Sequence, residues 1–263
     1  MRTIPMSLFD QPVVLFAVLF LVLVAMGEIG IRWRLRLSPH IDEGRHEQIS
    51  AARDEVAVLL SLLLGFTLAM ALQHIDHRRE LVVDEAEAIS TASLRAQALP
   101  EPYRGKVQEL LREYVDARLA YSSAGKEPEE LDETLARTKR LQDRIWEQSL
   151  AVAQQKDSPI NSIFLQSINE TFSWSEKRVA ALENRVPGAI WIMLVLISMA
   201  TCVMVGLDMK RRFWVTTVIW PLMICIVLTL IADLDSPYSG VIQVSQQSMR
   251  RLQQELNTGS NHK

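Results

Sequence analysis

The chain has 263 residues, of which 49% are hydrophobic, and its formal net charge is −3 at pH 7. This near-neutral balance excludes a polycationic nucleic-acid-binding protein, so we expect no nucleic-acid partner. The hydrophobic residues are concentrated in a few long stretches, and their distribution defines the class of protein.

Four apolar stretches are candidates for membrane-spanning helices. Residues 186–207 and 213–232 contain no Asp, Glu, Lys or Arg, and each is long enough to cross a bilayer as a helix. Residues 56–75 form another such stretch. Residues 11–27 come first in the chain and continue into "IRWRLR", so we interpret them as a retained anchor and not as a cleaved signal peptide. We therefore predict a multi-pass inner-membrane protein with the lipid bilayer as a partner.

A long insert between the second and third spans is predicted to form a helical bundle. Helix breaks occur at "LPEP", "AGKEPEE" and "KDSP", and each segment between them carries one apolar stripe at helical spacing. The predicted fold is all-α, with four transmembrane helices and the bundle inserted between spans two and three. The predicted divisions are 1–75 for spans one and two, 76–185 for the bundle, 186–232 for spans three and four, and 233–263 for a C-terminal tail.

The membrane helices are expected to continue into the bundle. No helix breaker separates span two from the first bundle segment, so we predict one helix from Val56 to about Leu99. At the other end of the insert, Pro187 is compatible with a first helical turn or a kink, so span three is expected to run on in the same way.

The positive charges of the short loops predict the orientation. These loops carry Arg32, Arg34, Arg36, Arg45 and Arg53 after span one, and Lys210, Arg211 and Arg212 after span three. Short loops rich in Lys and Arg remain in the cytoplasm, whereas long domains have little influence. This distribution of positive charges therefore favours an orientation in which the bundle and both termini lie outside the cytoplasm.

Two carboxylates, Asp233 and Asp235, follow span four, where an acid opposes the helix dipole. The order of the spans places them in the same membrane layer as a set of basic and histidine residues: His74, His77, Arg78, Arg79 and Arg185. The favoured interpretation is an interfacial ion-pair network, and the alternative is the charged mouth of an ion pathway. A metal site built on the histidines is disfavoured because their spacing alone is weak evidence, and we predict no metal.

Span two has two distinct faces. Ser61, Gly65 and Ala69 form a stripe of small residues where a neighbouring helix can approach closely, so we predict helix packing there. Another face carries larger apolar residues, among them Leu62, Phe66 and Met70. If several copies met around an axis, that face would form an apolar constriction, although such a face more often contacts lipid.

Motifs of catalysis are missing from the sequence. It contains no nucleophile elbow, phosphate-binding loop, HExxH or paired-thiol motif. We therefore predict neither an enzyme nor a cofactor.

Four separated segments resemble one family of membrane proteins. They are "LLGFTLAMALQHIDHRRELVVDEAEAI", "LPEPYRGKVQELLREYVDARL", "ENRVPGAIW" and "DLDSPYSGVIQVSQQSM", and they extend from about Leu59 to Met249. They are similar to the bacterial bestrophin-like proteins, a family distantly related to the bestrophin anion channels.

The resemblance implies a homo-oligomer that conducts small anions through a pore whose neck is lined by the second span. By helix position it implies Phe66 and Met70 as neck residues and His77 with Arg78 as the mouth. Leu62, on the same apolar face of span two, is a further neck candidate. The acidic run that follows the last span in calcium-gated bestrophins is absent here, so calcium gating is not implied. The alternative is a non-conducting scaffold or sensor whose bundle binds a partner.

Overall fold

The computed structural model describes residues 12–37, 43–124, 128–155, 158–209, 214–237 and 240–258. Within these ranges every regular element is a helix. The helices are α1 (Pro12–Leu37), α2 (Glu43–Ala96), α3 (Tyr103–Ser123), α4 (Pro128–Gln155), α5 (Pro159–Glu183), α6 (Gly188–Asp208), α7 (Trp214–Asp235) and α8 (Gln247–Thr258). The predicted all-α fold is confirmed.

The four predicted spans lie in helices long and apolar enough to cross a membrane. The spanning candidates are Pro12–Arg36, Gly44–Ala96, Trp214–Asp235 and the segment Pro159–Asp208, which contains both α5 and α6. Helix α2 has 54 residues and is therefore roughly 80 Å long, which confirms the predicted continuous helix and extends it toward the N-terminus.

Span three does not run on from the bundle as predicted. Helix α5 ends at Glu183, and α6 begins at Gly188 with Pro187 as its N-cap residue. Asn184, the C-cap of α5, has an extended backbone, with φ −76° and ψ 108°. Proline disfavours the helical conformation in the residue before it and lacks the N–H that a continuing helix needs, so the chain breaks here.

The chain divides into two compact units, and the described parts of residues 1–74 and 185–242 form the first. This unit contains α1, α6, α7 and the N-terminal part of α2. Its core includes Leu23, Leu194, Cys202, Cys225 and Leu228, all at most 2% exposed. These side chains come from α1, α6 and α7, so three spans share one apolar core.

Helices α1 and α6 cross at glycines. A Cβ atom at Gly30 would overlap the carbonyl oxygen of Val203, and one at Gly206 would overlap the carbonyl oxygen of Gly27. Such small residues let two membrane helices bring their backbones together. The close approach fixes the end of span one against the end of span three.

The second unit comprises the described parts of residues 75–184 and 243–263. Helices α3, α4, α5 and α8 pack with the C-terminal part of α2 around an apolar core. Ile89, Leu111, Tyr114, Phe164 and Ile168 are fully buried in it. The bundle therefore has the single core that the apolar stripes predict.

Helix α8 lies in the segment that the sequence suggests is only a tail. It buries Met249 and Leu252, at 0% and 4% exposed, in the bundle core. Arg112 Nε of α3 donates to the carbonyl oxygen of Leu256 over 3.0 Å, and Gln253 Nε2 donates to Asp116 Oδ1 over 2.6 Å. The C-terminal segment is thus part of the bundle.

Candidate functional site

Helix α2 buries one side of its membrane-spanning part and exposes the other. Thr67 and Ala71 are 4% and 0% exposed, whereas Leu62 and Phe66 on the other side are 54% and 65% exposed. Met70 is half-buried. Leu62 and Phe66 are therefore mostly unpacked within the chain, and lipid or another protein must cover them in a membrane.

The stripe of small residues on α2 also faces away from the rest of the chain. Ser61, Gly65 and Ala69 are exposed, and a Cβ atom at Gly65 would have no other atom within 4 Å. The Ser61 hydroxyl donates to the carbonyl oxygen of Val58 over 2.8 Å, so it is satisfied within the helix. Within the described residues, no other span packs against the stripe.

The two acids after span four accept hydrogen bonds from backbone N–H groups. Asp233 Oδ1 accepts from Val241 N over 2.7 Å, and its Oδ2 accepts from Ile242 N over 3.0 Å. Asp235 Oδ1 accepts from Val186 N over 2.9 Å. These bonds offset the unfavourable position of the acids at a helix C-terminus, a mismatch of about 0.3 to 1 kcal/mol.

Among the predicted charged residues of the first unit, His74 and Asp235 lie together. His74 Nδ1 is 3.7 Å from Asp235 Oδ1, and the two side chains are 18% and 9% exposed. Since Asp235 also binds the backbone of Val186, this contact joins residues of α2, α7 and the start of span three. Arg185 is half-buried, and no ion pair with either acid is present among the described residues.

The predicted charged residues of the second unit have different surroundings. Arg78 is 3% exposed, and its guanidinium donates to the carbonyl oxygens of Ala181 and Asn184 over 3.2 and 3.0 Å. It therefore binds the C-terminal carbonyls of α5, where a cation suits the dipole. Arg79 and His77 are exposed, and His77 Nδ1 is 3.9 Å from Glu80 Oε2.

A polar cluster at the end of α6 was not anticipated from the sequence. The carboxylate of Asp208 accepts from Ser50 Oγ over 2.5 Å, pairs with Arg53 and lies 3.6 Å from His46 Nδ1. His46, Ser50 and Arg53 lie in the first turns of α2. Arg34 donates to the carbonyl oxygens of Leu207 and Asp208 over 2.7 and 3.3 Å.

A buried ion cluster in the bundle was also missed. Glu85 on α2 pairs with Arg118 on α3 over 2.5 Å and with Arg178 on α5 over 2.7 Å. Glu85 and Arg118 are fully buried, and Arg178 is 4% exposed. Arg178 Nη2 also donates to Gln246 Oε1 over 2.7 Å. One feature of the sequence indicated this cluster. Each of the three predicted helices carries a charged residue on the side that its apolar residues mark as buried.

The electrostatics of this cluster follow from burial and charge. Burial lowers the pKa of Arg118, but the Glu85 carboxylate and Tyr114 outweigh burial, so the pKa is raised overall. Burial and the nearby Glu85 raise the pKa of the Tyr114 phenol. Arg118 therefore keeps its positive charge in the bundle core at neutral pH, where it pairs with Glu85. The described residues contain no group of three or more side chains suited to hold a metal ion.

Comparison with protein families identifies the family of the chain. The family model described as Bestrophin-like domain matches residues 15–249, which include most of α1, all of α2 to α7 and the start of α8. The chain belongs to the Bestrophin-like family. No curated protein matches this Bestrophin-like chain.

Solved structures share the fold of this Bestrophin-like protein. A single-substitution variant of a bacterial bestrophin homologue from Klebsiella pneumoniae matches with a TM-score of 0.68 and 15% identity, over 93% of this chain and 98% of that chain. The crystal structure of a bacterial bestrophin homologue from Klebsiella pneumoniae solved by Zn-SAD phasing matches with a TM-score of 0.68 and 16% identity, over 92% and 97%. At this identity the match establishes the fold alone.

Proposed function

We propose that the chain forms a homo-oligomeric channel for small anions, with the pore neck lined by α2. The observation that carries the proposal is the outward side of α2, where Leu62 and Phe66 are 54% and 65% exposed beside exposed small residues. Helix α6 exposes large residues such as Leu196, at 59%, which suit lipid. A stripe of small residues instead suits close contact with a helix of another copy.

In this arrangement the large apolar side chains of α2 form a narrow constriction. Leu62, Phe66 and Met70 offer no hydrogen bond to a hydrated ion, so water and ions pass only when the constriction is wide enough to wet. Further along the same side of α2, the exposed residues Gln73 and His77 are polar. The segment then carries both Glu80 and Arg79, so its charge is mixed, and the preference for anions rests on the family resemblance.

Halide flux into liposomes that contain the purified full-length protein tests the proposal. We expect Phe66→Ala and Leu62→Ala to raise chloride flux because each shortens a side chain in the constriction. The matched control is Leu196→Ala on α6, which removes the same atoms at a similarly exposed position and leaves flux at the wild-type value. The absence of flux from the wild type and from all variants would favour the alternative, a non-conducting scaffold or sensor.

Arg78→Glu is not a suitable test of the pore mouth, although Arg78 is one of the predicted mouth residues. Arg78 is buried against carbonyls of α5, so Arg78→Glu would disrupt the bundle. Arg79 is exposed, and Arg79→Glu reverses a charge at the surface. We expect lower chloride flux from Arg79→Glu and unchanged flux from Arg137→Glu, an exposed position on α4.

We further propose an inner-membrane location with the bundle outside. The arginine-rich loops after spans one and three support this orientation, since short loops rich in Lys and Arg stay in the cytoplasm. A reporter active only in the cytoplasm, inserted between α3 and α4, is expected to give no signal. A cytoplasmic signal from that position would reverse the orientation and leave the fold unaffected.

A further inference from the structure

Helix α1 exposes a continuous apolar stripe that ends at two arginines. Val18, Leu21 and Ile29 are 41%, 67% and 37% exposed, and they lie on one side of the helix by its periodicity. The same side continues with Arg32, Trp33 and Arg36 in the last turns of α1. Arg32 and Arg36 are exposed, and Trp33 is 53% exposed.

The neighbouring charges leave these two arginines unpaired. Arg34 binds carbonyl oxygens at the end of α6, and Asp208 is occupied by Ser50 and Arg53. Glu28 lies one turn before Arg32 and is half-buried. In the part of the chain that the structure describes, neither Arg32 nor Arg36 has a hydrogen bond or an ion pair.

We propose that Arg32, Trp33 and Arg36 form a binding site for the headgroup of an anionic phospholipid. Residues four apart in a helix lie on the same face with their Cβ atoms about 6 Å apart, so both guanidinium groups can reach one phosphate. Arginine binds phosphate oxygens through paired N–H groups. Trp33 lies between the two arginines, and tryptophan is enriched at the level of lipid headgroups.

The apolar stripe supports a lipid as the occupant over a second copy of the chain. Large side chains such as Leu21 and Ile29 provide a surface for an acyl chain directly below the arginines. A second copy would have to supply acids for both arginines, and it would find its close-packing residues on α2, at Ser61, Gly65 and Ala69. The site therefore lies on the lipid-facing side of the protein.

Native mass spectrometry of the full-length protein in detergent tests the site. Dioleoyl phosphatidylglycerol and dioleoyl phosphatidylcholine are added at equal concentration, since they share acyl chains and differ in headgroup charge. We expect the wild type to bind phosphatidylglycerol about tenfold more tightly, because its phosphate is a net negative charge, whereas the choline ammonium neutralises and competes for the phosphate of phosphatidylcholine. Raising the salt concentration should reduce this preference.

The decisive comparison uses two pairs of arginines. The double variant Arg32→Gln, Arg36→Gln should lose the preference for phosphatidylglycerol. The double variant Arg137→Gln, Arg140→Gln removes the same charge from exposed positions on α4. It should retain the preference for phosphatidylglycerol. Equal binding of both lipids by the wild type, or equal loss in both double variants, would overturn the proposal.

A second measurement reports on the position of the lipid. Phosphatidylglycerol brominated on its acyl chains should quench tryptophan fluorescence more in the wild type than in Trp33→Phe, because bromine quenches only nearby indole rings. If the variant at Arg32 and Arg36 instead lowers the oligomeric mass without changing lipid binding, the stripe is a contact between copies and the lipid site is refuted.

Discussion

Arg118 Nε donates a hydrogen bond to Glu85 Oε1 over 2.5 Å, and both side chains are fully buried in the bundle. The same carboxylate accepts from Arg178 through its other oxygen over 2.7 Å. Three helices, α2, α3 and α5, are therefore held by one carboxylate between two guanidinium groups. Among the described residues Arg118 Nη1 has no hydrogen-bond partner, although the guanidinium lies 5.0 Å from the centroid of the Tyr121 ring.

Replacing the shared carboxylate should strongly destabilise the bundle. Glu85→Gln leaves two buried cations without a counter-charge, and breaking a buried ion pair in this way costs about 3 to 5 kcal/mol. Glu87→Gln is the matched control, since Glu87 is exposed two residues further along α2. Thermal unfolding of both variants in the same detergent measures the difference. A Glu85→Gln protein as stable as Glu87→Gln would show that the pairs do not stabilise the bundle.

The bundle should lose stability at alkaline pH through Tyr114. Burial and Glu85 raise its pKa in the folded state, so the folded chain keeps the phenol proton after the unfolded chain has lost it near pH 10. The contribution of Tyr114 is therefore complete below about pH 10 and decreases above it, by at most about 1.4 kcal/mol per pH unit.

The comparison of wild type with Tyr114→Phe isolates this effect. The variant cannot ionise at this position, so we expect a shallower decline of unfolding temperature between pH 9.5 and 11. Its stability at neutral pH should be slightly lower, because the phenol also contacts Gln142 over 3.4 Å. Parallel curves for the two proteins over that range would assign the alkaline instability to other groups.

The sequence was sufficient to predict the architecture, because the patterns that indicate each helix are long and involve residues close together in the chain. The spans extend over about 20 residues, and the bundle helices show regular apolar stripes, so helix type and order follow from composition and period. The break at Pro187 shows the limit of local signals. Proline permits either a first turn or a kink, and only the backbone of Asn184 and Pro187 decides between them.

The polar contacts could not be predicted because they join residues far apart in the sequence. Glu85 and Arg178 are 93 residues apart, and Ser50 and Asp208 are 158 apart. Charge and position along the membrane predicted that Asp235 lies in the same layer as His74. They did not predict the hydrogen bond that Val186 N donates to Asp235. Helix α8 was missed because only Met249 and Leu252 are buried in its 12 residues, too few for a clear apolar stripe.

The crossing of α1 and α6 should not tolerate a methyl group. In Gly30→Ala the new Cβ would overlap the carbonyl oxygen of Val203, a backbone atom that moves only if the helices separate. We expect a loss of about 1 to 3 kcal/mol, typical of overpacking. Gly44→Ala is the control, because a Cβ there has no other atom within 4 Å. Equal thermal stability of both variants in detergent would contradict the close approach of the two helices.

The outward stripe of small residues on α2 should be needed for oligomer formation. Ala69→Leu places a bulky side chain where another α2 helix would approach, so we expect a lower oligomeric mass by light scattering coupled to size-exclusion chromatography. Ala17→Leu makes the same change on α1, where Ala17 is exposed beside residues that suit lipid, and should leave the mass unchanged. Neither position packs within the chain, so both variants should retain the wild-type helix content.

If Ala69→Leu keeps the wild-type mass, the stripe faces lipid, and the copies must meet through another surface. A loss of mass in both variants would mean that α1 also contributes to the subunit contact, and the lipid site at Arg32 and Arg36 would then have to be reconsidered together with it.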